Sequence, residues 1–168
     1  MTKKASILLN VLLGAIAGLL TGMIVMLLWM HTQIIPPMLL MVVLDQMKVY
    51  ELVGQAYGVS ENVIIYIGHF FTATVLGILF SLIFQKLVKN LWRGVWLGAV
   101  FGMVWWLITP FYLMPLFFSI SPNYRWSDAA IGEVVNSIIS HLVFGILVGF
   151  FYAIFKRLLK GPKQDDRK

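Results

Sequence analysis

Apolar residues in this chain run in long blocks and do not alternate with polar ones. Four stretches, 5–30, 62–85, 94–124 and 134–155, contain no Asp, Glu, Lys or Arg. Each exceeds the roughly 20 residues an α-helix needs to cross about 30 Å of hydrocarbon. The pattern predicts an all-α, polytopic membrane protein. Four transmembrane helices are expected at about 6–30, 61–86, 91–114 and 128–159, in one transmembrane domain over 1–162. Pro36-Pro37 ends any continuation of the first, because proline lacks a backbone donor and clashes with the preceding turn. From 37 to 53, Asp45, Gln46, Lys48 and Glu51 cluster on one side at helical spacing. This predicts a short amphipathic helix lying in the outer interface. Gly54 and Gly58 break it, and Ser60 can cap the second span. Pro110, Pro115 and Pro122 predict a kinked or unwound end to the third span. Ser127 can cap the fourth, Gly161-Pro162 stops it, and the basic tail 163–168 is expected to be disordered.

A second pattern sits inside the first. Small or polar residues recur every fourth position in each span: Asn10, Gly14, Gly18, Gly22; His69, Ala73, Gly77, Ser81; Gly94, Gly98, Gly102; and Ser137, His141, Gly145, Gly149. Lipid gives helices no hydrophobic reward for associating, so close packing through small residues must supply it. Four such ladders predict a compact bundle with little room for a wide pore. The chain also reads as a tandem repeat of two helical hairpins. Ile67-Gly68-His69 with Phe84-Gln85-Lys86 parallels Ile139-Ser140-His141 with Phe155-Lys156-Arg157. Some transporters are built from such parallel repeats.

Charge orients the spans. The net charge is +6, and mean hydropathy is +0.88. Only 12% of residues are charged, against about 25% in a soluble domain. A soluble enzyme, a nucleic-acid binder and a disordered chain are therefore excluded. Eleven of the 13 Lys and Arg fall at Lys3 and Lys4; at Lys86, Lys89 and Arg93; and at Lys156, Arg157, Lys160, Lys163, Arg167 and Lys168. Basic residues collect on the cytoplasmic side. Both termini are expected there, in a multi-pass membrane protein, with connections 31–61 and 115–131 outside. Trp29, Trp92, Trp96 and Trp126 fall near the expected interfaces, as an aromatic belt should. The C-terminal basic segment can contact anionic lipid. The partners expected are the bilayer itself and a second copy of the chain, with no nucleic acid.

The candidate chemistry is sparse. There is no cysteine, hence no disulfide, thiol nucleophile or Cys-based metal site. Phosphate-loop, metalloprotease and nucleophile-elbow motifs are absent, so no enzyme and no cofactor are expected. His69 and His141 lie at a common depth in the second and fourth spans. Ionisable residues there are costly and face the bundle interior. A histidine pair can relay protons, hold a metal given further ligands, or simply donate one hydrogen bond each across a helix interface. Glu133, Asn136, Ser137 and Ser140 add a polar stripe beside His141, and Thr72 lies one turn from His69. Met23, Met26, Met30, Met38, Met41 and Met47, close to His31, are soft ligands suited to Cu(I), but equally serve as flexible packing.

Several of these features resemble the YagU-like inner-membrane proteins of bacteria and, more distantly, YqhR-type membrane proteins. They are Trp29 followed by Pro36-Pro37; Gly68-His69-x-Phe71 leading to Phe80-Ser81; Leu91-Trp92-x-Gly94 with Gly98-Ala99; and His141-Leu142-Val143. They span about residues 29–143. The resemblance implies a bacterial plasma-membrane protein of unassigned biochemical activity, with Gly68, His69 and His141 as the shared positions. Two functions stay open. One is a non-enzymatic protein acting through packing, lipid or partner contacts, in envelope or pH stress. The other is a small transporter or proton- or cation-conducting protein built on the histidine pair.

Overall fold

The computed structural model describes residues 3–32, 49–108 and 131–159. Among them the chain is all-helical: α1 (Lys3–Thr32), α2 (Val49–Tyr57), α3 (Glu61–Phe84), α4 (Leu91–Ile108) and α5 (Ile131–Leu158). Four of these, all but α2, are long and apolar enough to cross a membrane. The protein is a four-helix, membrane-embedded bundle. α1 begins three residues earlier and ends two later than expected, and α3 stops at Phe84 instead of 86. The short helix runs on to Tyr57, through Gly54, and ends at Gly58, which adopts a positive φ of 66°. Its expected first part, 37–48, lies outside the described residues. So do the three prolines after α4, Ser127, and the tail 163–168. Ser60 stands at the N-cap of α3 in extended geometry but makes no side-chain cap hydrogen bond.

The glycine ladders interlock as two hairpins. α1 meets α3, and α4 meets α5. A Cβ added to Gly14 would lie 2.5 Å from the Gly77 carbonyl oxygen, and one on Gly18 would strike the Ala73 carbonyl. In the second hairpin Gly94 meets Ala153 and the Gly149 carbonyl, and Gly98 strikes the Gly145 carbonyl. The positions correspond throughout. Gly14, Gly18 and Gly22 match Gly94, Gly98 and Gly102 at an offset of 80 residues. His69, Ala73, Gly77 and Ser81 match His141, Gly145, Gly149 and Ala153 at an offset of 72. This register pairs Phe84 with Lys156, not with Phe155, so the Phe–basic match seen in the sequence is one residue out of step.

The two hairpins do not meet symmetrically. A two-fold relating them would make the α3–α4 seam the mate of the α1–α5 seam. α1 packs along α5, whereas α3 and α4 barely touch. The sequence explains the difference. Asn10, which meets Tyr152 of α5, shares its helix stripe with buried Leu13, Ala17 and Thr21, mostly small side chains. The matching α4 positions are Asn90, Arg93, Leu97 and Phe101, mostly bulky ones. On the closed seam, Tyr152 donates a hydrogen bond to Asn10 Oδ1 at 2.5 Å. Its mate, Phe80, has no hydroxyl to donate. Instead, Phe80 packs its ring against Phe101 and Tyr152 at centroid distances of 5.5 and 5.7 Å. These rings wedge the open seam and leave an apolar groove of about 240 Å³ between Leu79, Ile83, Val100 and Val104.

Candidate functional site

The Asn10–Tyr152 bond fixes the register of antiparallel α1 and α5. Eleven residues on from each (21 − 10 and 152 − 141), about 16 Å away at 1.5 Å per residue, stand Thr21 and His141. Eleven steps of 100° return to within about 20° of the starting face. The two faces that meet at Asn10–Tyr152 therefore carry Thr21 and His141 at a common level. His69 joins them from α3, because its Nε2 donates to the backbone oxygen of Gly22 at 2.9 Å. His141 Nδ1 donates to the carbonyl of Ser137, one turn back on α5, at 2.8 Å. Thr21, His69, Ser137, Ser140 and His141 are all buried, Thr21 completely.

A carbonyl can only accept, so the bonds assign the tautomers. His69 carries its hydrogen on Nε2 and His141 on Nδ1. Each imidazole is thus tied to a backbone oxygen through one ring nitrogen. His69 Nδ1, Thr21 Oγ1 and Ser137 Oγ are buried with no hydrogen-bond partner. Buried polar atoms are normally paired, and three orphans within a few turns mark a place suited to a water or another small polar species. The Ser140 hydroxyl is already committed, donating to Asn136 O at 2.8 Å.

The other expected members sit differently. The Asn136 side chain is exposed, so the stripe beside His141 narrows to Ser137, Ser140 and His141. Thr72 is half-buried, and it is Gly22 rather than Thr72 that His69 engages. The Glu133 side chain and residues 38–47 lie outside the described residues. His31, at the end of α1, is exposed and bonds the Leu27 carbonyl at 2.9 Å. Among the described residues, no three His, Cys, Asp or Glu are grouped to hold a metal, and two imidazoles fall short of the three or four protein ligands most sites need.

An apolar layer separates this band from the Asn10–Tyr152 pair. Ala17, Leu76 and Val148 fill it with at most 1% exposure each. Sequence reading missed Thr21 and Tyr152. Thr21 lies one residue before Gly22, on the stripe Asn10, Ala17, Thr21 that runs beside the glycine ladder, and the ladder drew attention away from it. No family model, curated protein or solved structure matches the chain.

Proposed function

We propose that this chain is a non-enzymatic integral protein of a bacterial plasma membrane, with both termini cytoplasmic, acting through lipid or partner contacts. Its resemblance to the YagU-like proteins agrees with that placement. The observation that carries the reading is the sealed apolar layer. Ala17, Leu76 and Val148 interrupt any polar route between the histidine level and the Asn10–Tyr152 level. Both histidines already spend their hydrogens on backbone oxygens: His69 on Gly22 across the α1–α3 interface, the ordinary role of a buried polar side chain between membrane helices, and His141 on Ser137 of its own helix, not across an interface as expected. What the bundle offers its surroundings is apolar flanks and a basic end.

The test is proton flux in proteoliposomes, with a pH-sensitive dye inside. Wild type is expected to match empty liposomes. Flux abolished by His69→Gln/His141→Gln in folded protein would overturn the reading. A second reading, proton or small-cation transport, draws on the orphaned Thr21 Oγ1, His69 Nδ1 and Ser137 Oγ. It requires the apolar layer to open, and the same assay separates the two.

A further inference from the structure

Three helices meet where Tyr152 of α5 donates to Asn10 of α1 and packs its ring against Phe80 of α3, with centroids 5.7 Å apart. α3 and α5 run parallel, and both are antiparallel to α1. Eleven residues back from Phe80 and Tyr152 (80 − 69 and 152 − 141) stand His69 and His141, and eleven on from Asn10 (21 − 10) stands Thr21. Eleven steps of 100° restore the starting face to within about 20°. One residue from each helix therefore returns to the shared centre of the bundle about 16 Å along it. Ser137 follows one turn beyond His141. Thr21, His69 and Ser137 are 0%, 4% and 6% exposed.

We propose that this level binds one buried water, which joins the two hairpins there as Tyr152 and Asn10 join them at the other level. Hydrogen-bond valence selects the occupant. His69 gives its hydrogen from Nε2 to Gly22, so its Nδ1 can only accept. That nitrogen, Thr21 Oγ1 and Ser137 Oγ are buried without a partner. Other buried serines satisfy themselves on their own helix, Ser81 at Ile78 O and Ser140 at Asn136 O, both at 2.8 Å, as helical hydroxyls commonly do. Thr21 and Ser137 make no such bond, which leaves their hydroxyl hydrogens to be placed elsewhere. Water donates one hydrogen to Nδ1 and accepts one from each hydroxyl, and three partners are typical of a buried water. An anion has no hydrogen for Nδ1, and a bare cation has no lone pair for the hydroxyls. A bridging water is nearly as good in enthalpy as a direct bond but loses part of that in freedom, so it fixes geometry more than it raises stability. The inference is independent of the lipid- or partner-contact reading, because the site lies to one side of Ala17, Leu76 and Val148 and leaves that layer sealed.

The experiment is solid-state nitrogen-15 NMR of the full chain in lipid bilayers, with the histidine rings labelled and His69 assigned by its loss in His69→Gln. In wild type, Nδ1 is expected to resonate as an unprotonated nitrogen moved upfield by an accepted hydrogen bond. It should also show contact with protons at the water frequency that vanish in heavy water. Thr21→Val and Ser137→Ala each leave the water two partners and should keep the bonded shift. The double variant leaves it one partner, and Nδ1 should move back to the unbonded position. Ser81→Ala/Ser140→Ala removes two hydroxyls already committed to backbone and should change nothing. An unbonded Nδ1 in wild type would overturn the proposal, and so would a proton on Nδ1. Loss of the bonded shift in one single variant, with full retention in the other, would make that hydroxyl the direct donor and overturn the water. Contact with protons that survive in heavy water would overturn it in favour of an organic ligand. Should the double variant fail to fold, the wild-type shift and the two single variants decide.

Discussion

Single atoms decide much of this bundle. The Tyr152 hydroxyl closes one seam, and its pseudo-equivalent Phe80 cannot close the other. Tyr152→Phe is therefore expected to lower stability by about 0.5–1.5 kcal/mol, the net value of one hydrogen bond, with the loss read from thermal unfolding in detergent. His69→Leu removes the bond to the Gly22 carbonyl and should cost a similar amount, about 0.6 kcal/mol on average and up to ~1.7 for polar links between membrane helices. Thr21→Val behaves differently. The hydroxyl has no protein partner, so an isosteric methyl is expected to leave stability unchanged or raise it slightly. A fall of more than ~1 kcal/mol would show that the hydroxyl is satisfied within the folded bundle. The histidines and their burial were legible in the sequence, because an ionisable group in an apolar span must turn inward. Their partners were not. His69 finds a carbonyl of the facing helix α1, which spacing along α3 does not reveal, whereas His141 turns back to Ser137 of its own helix.

At the scale of elements, the glycine ladders are the joints. Every ladder glycine of the four spans lies against a neighbouring helix, most of them against its backbone. Backbone cannot swing aside as a side chain can. Gly98→Ala should therefore force α4 off α5 at the Gly145 carbonyl and destabilise the fold by about 2 kcal/mol or more. Gly68→Ala is the matched control. Its added methyl would meet nothing within 4 Å, and alanine gains helix propensity of up to ~1 kcal/mol over glycine. The control is expected to be neutral or stabilising, and melting curves of the two variants check the contrast. The four spans and their ladders could be read from sequence because hydrocarbon length and close approach both leave periodic marks. Pairing of α1 with α3, and of α4 with α5, followed from the apparent repeat. The unequal seams did not. They arise from Thr21 against Phe101 and Ala17 against Leu97, and these differences carry meaning only once the ladder register sets which residues correspond.

For the molecule as a whole, the ladders are consumed internally. A second copy of the chain would have to dock through other faces, such as the exposed Trp96, Val100 and Val104 of α4. The charge pattern expects connection 85–90 and the end of α5 on the cytoplasmic side, and the fold puts both at one end of the bundle, where Lys156 clasps them together. The polar band stands at a different level, closed off by Ala17, Leu76 and Val148. That closure is the claim on which the functional reading depends, and solvent access to Thr21 tests it directly. The chain has no cysteine, so Thr21→Cys would be its single thiol, and His31→Cys at the exposed end of α1 supplies the reference. Both are treated with a charged methanethiosulfonate reagent from each side of native membranes. The expected result is labelling of His31→Cys from one side and no labelling of Thr21→Cys from either. Labelling of Thr21→Cys from the side opposite to the one that labels His31→Cys, at a rate near that of the reference, would mean that water crosses the apolar layer to the histidine level. It would contradict the sealed bundle and make transport through the band the reading to pursue.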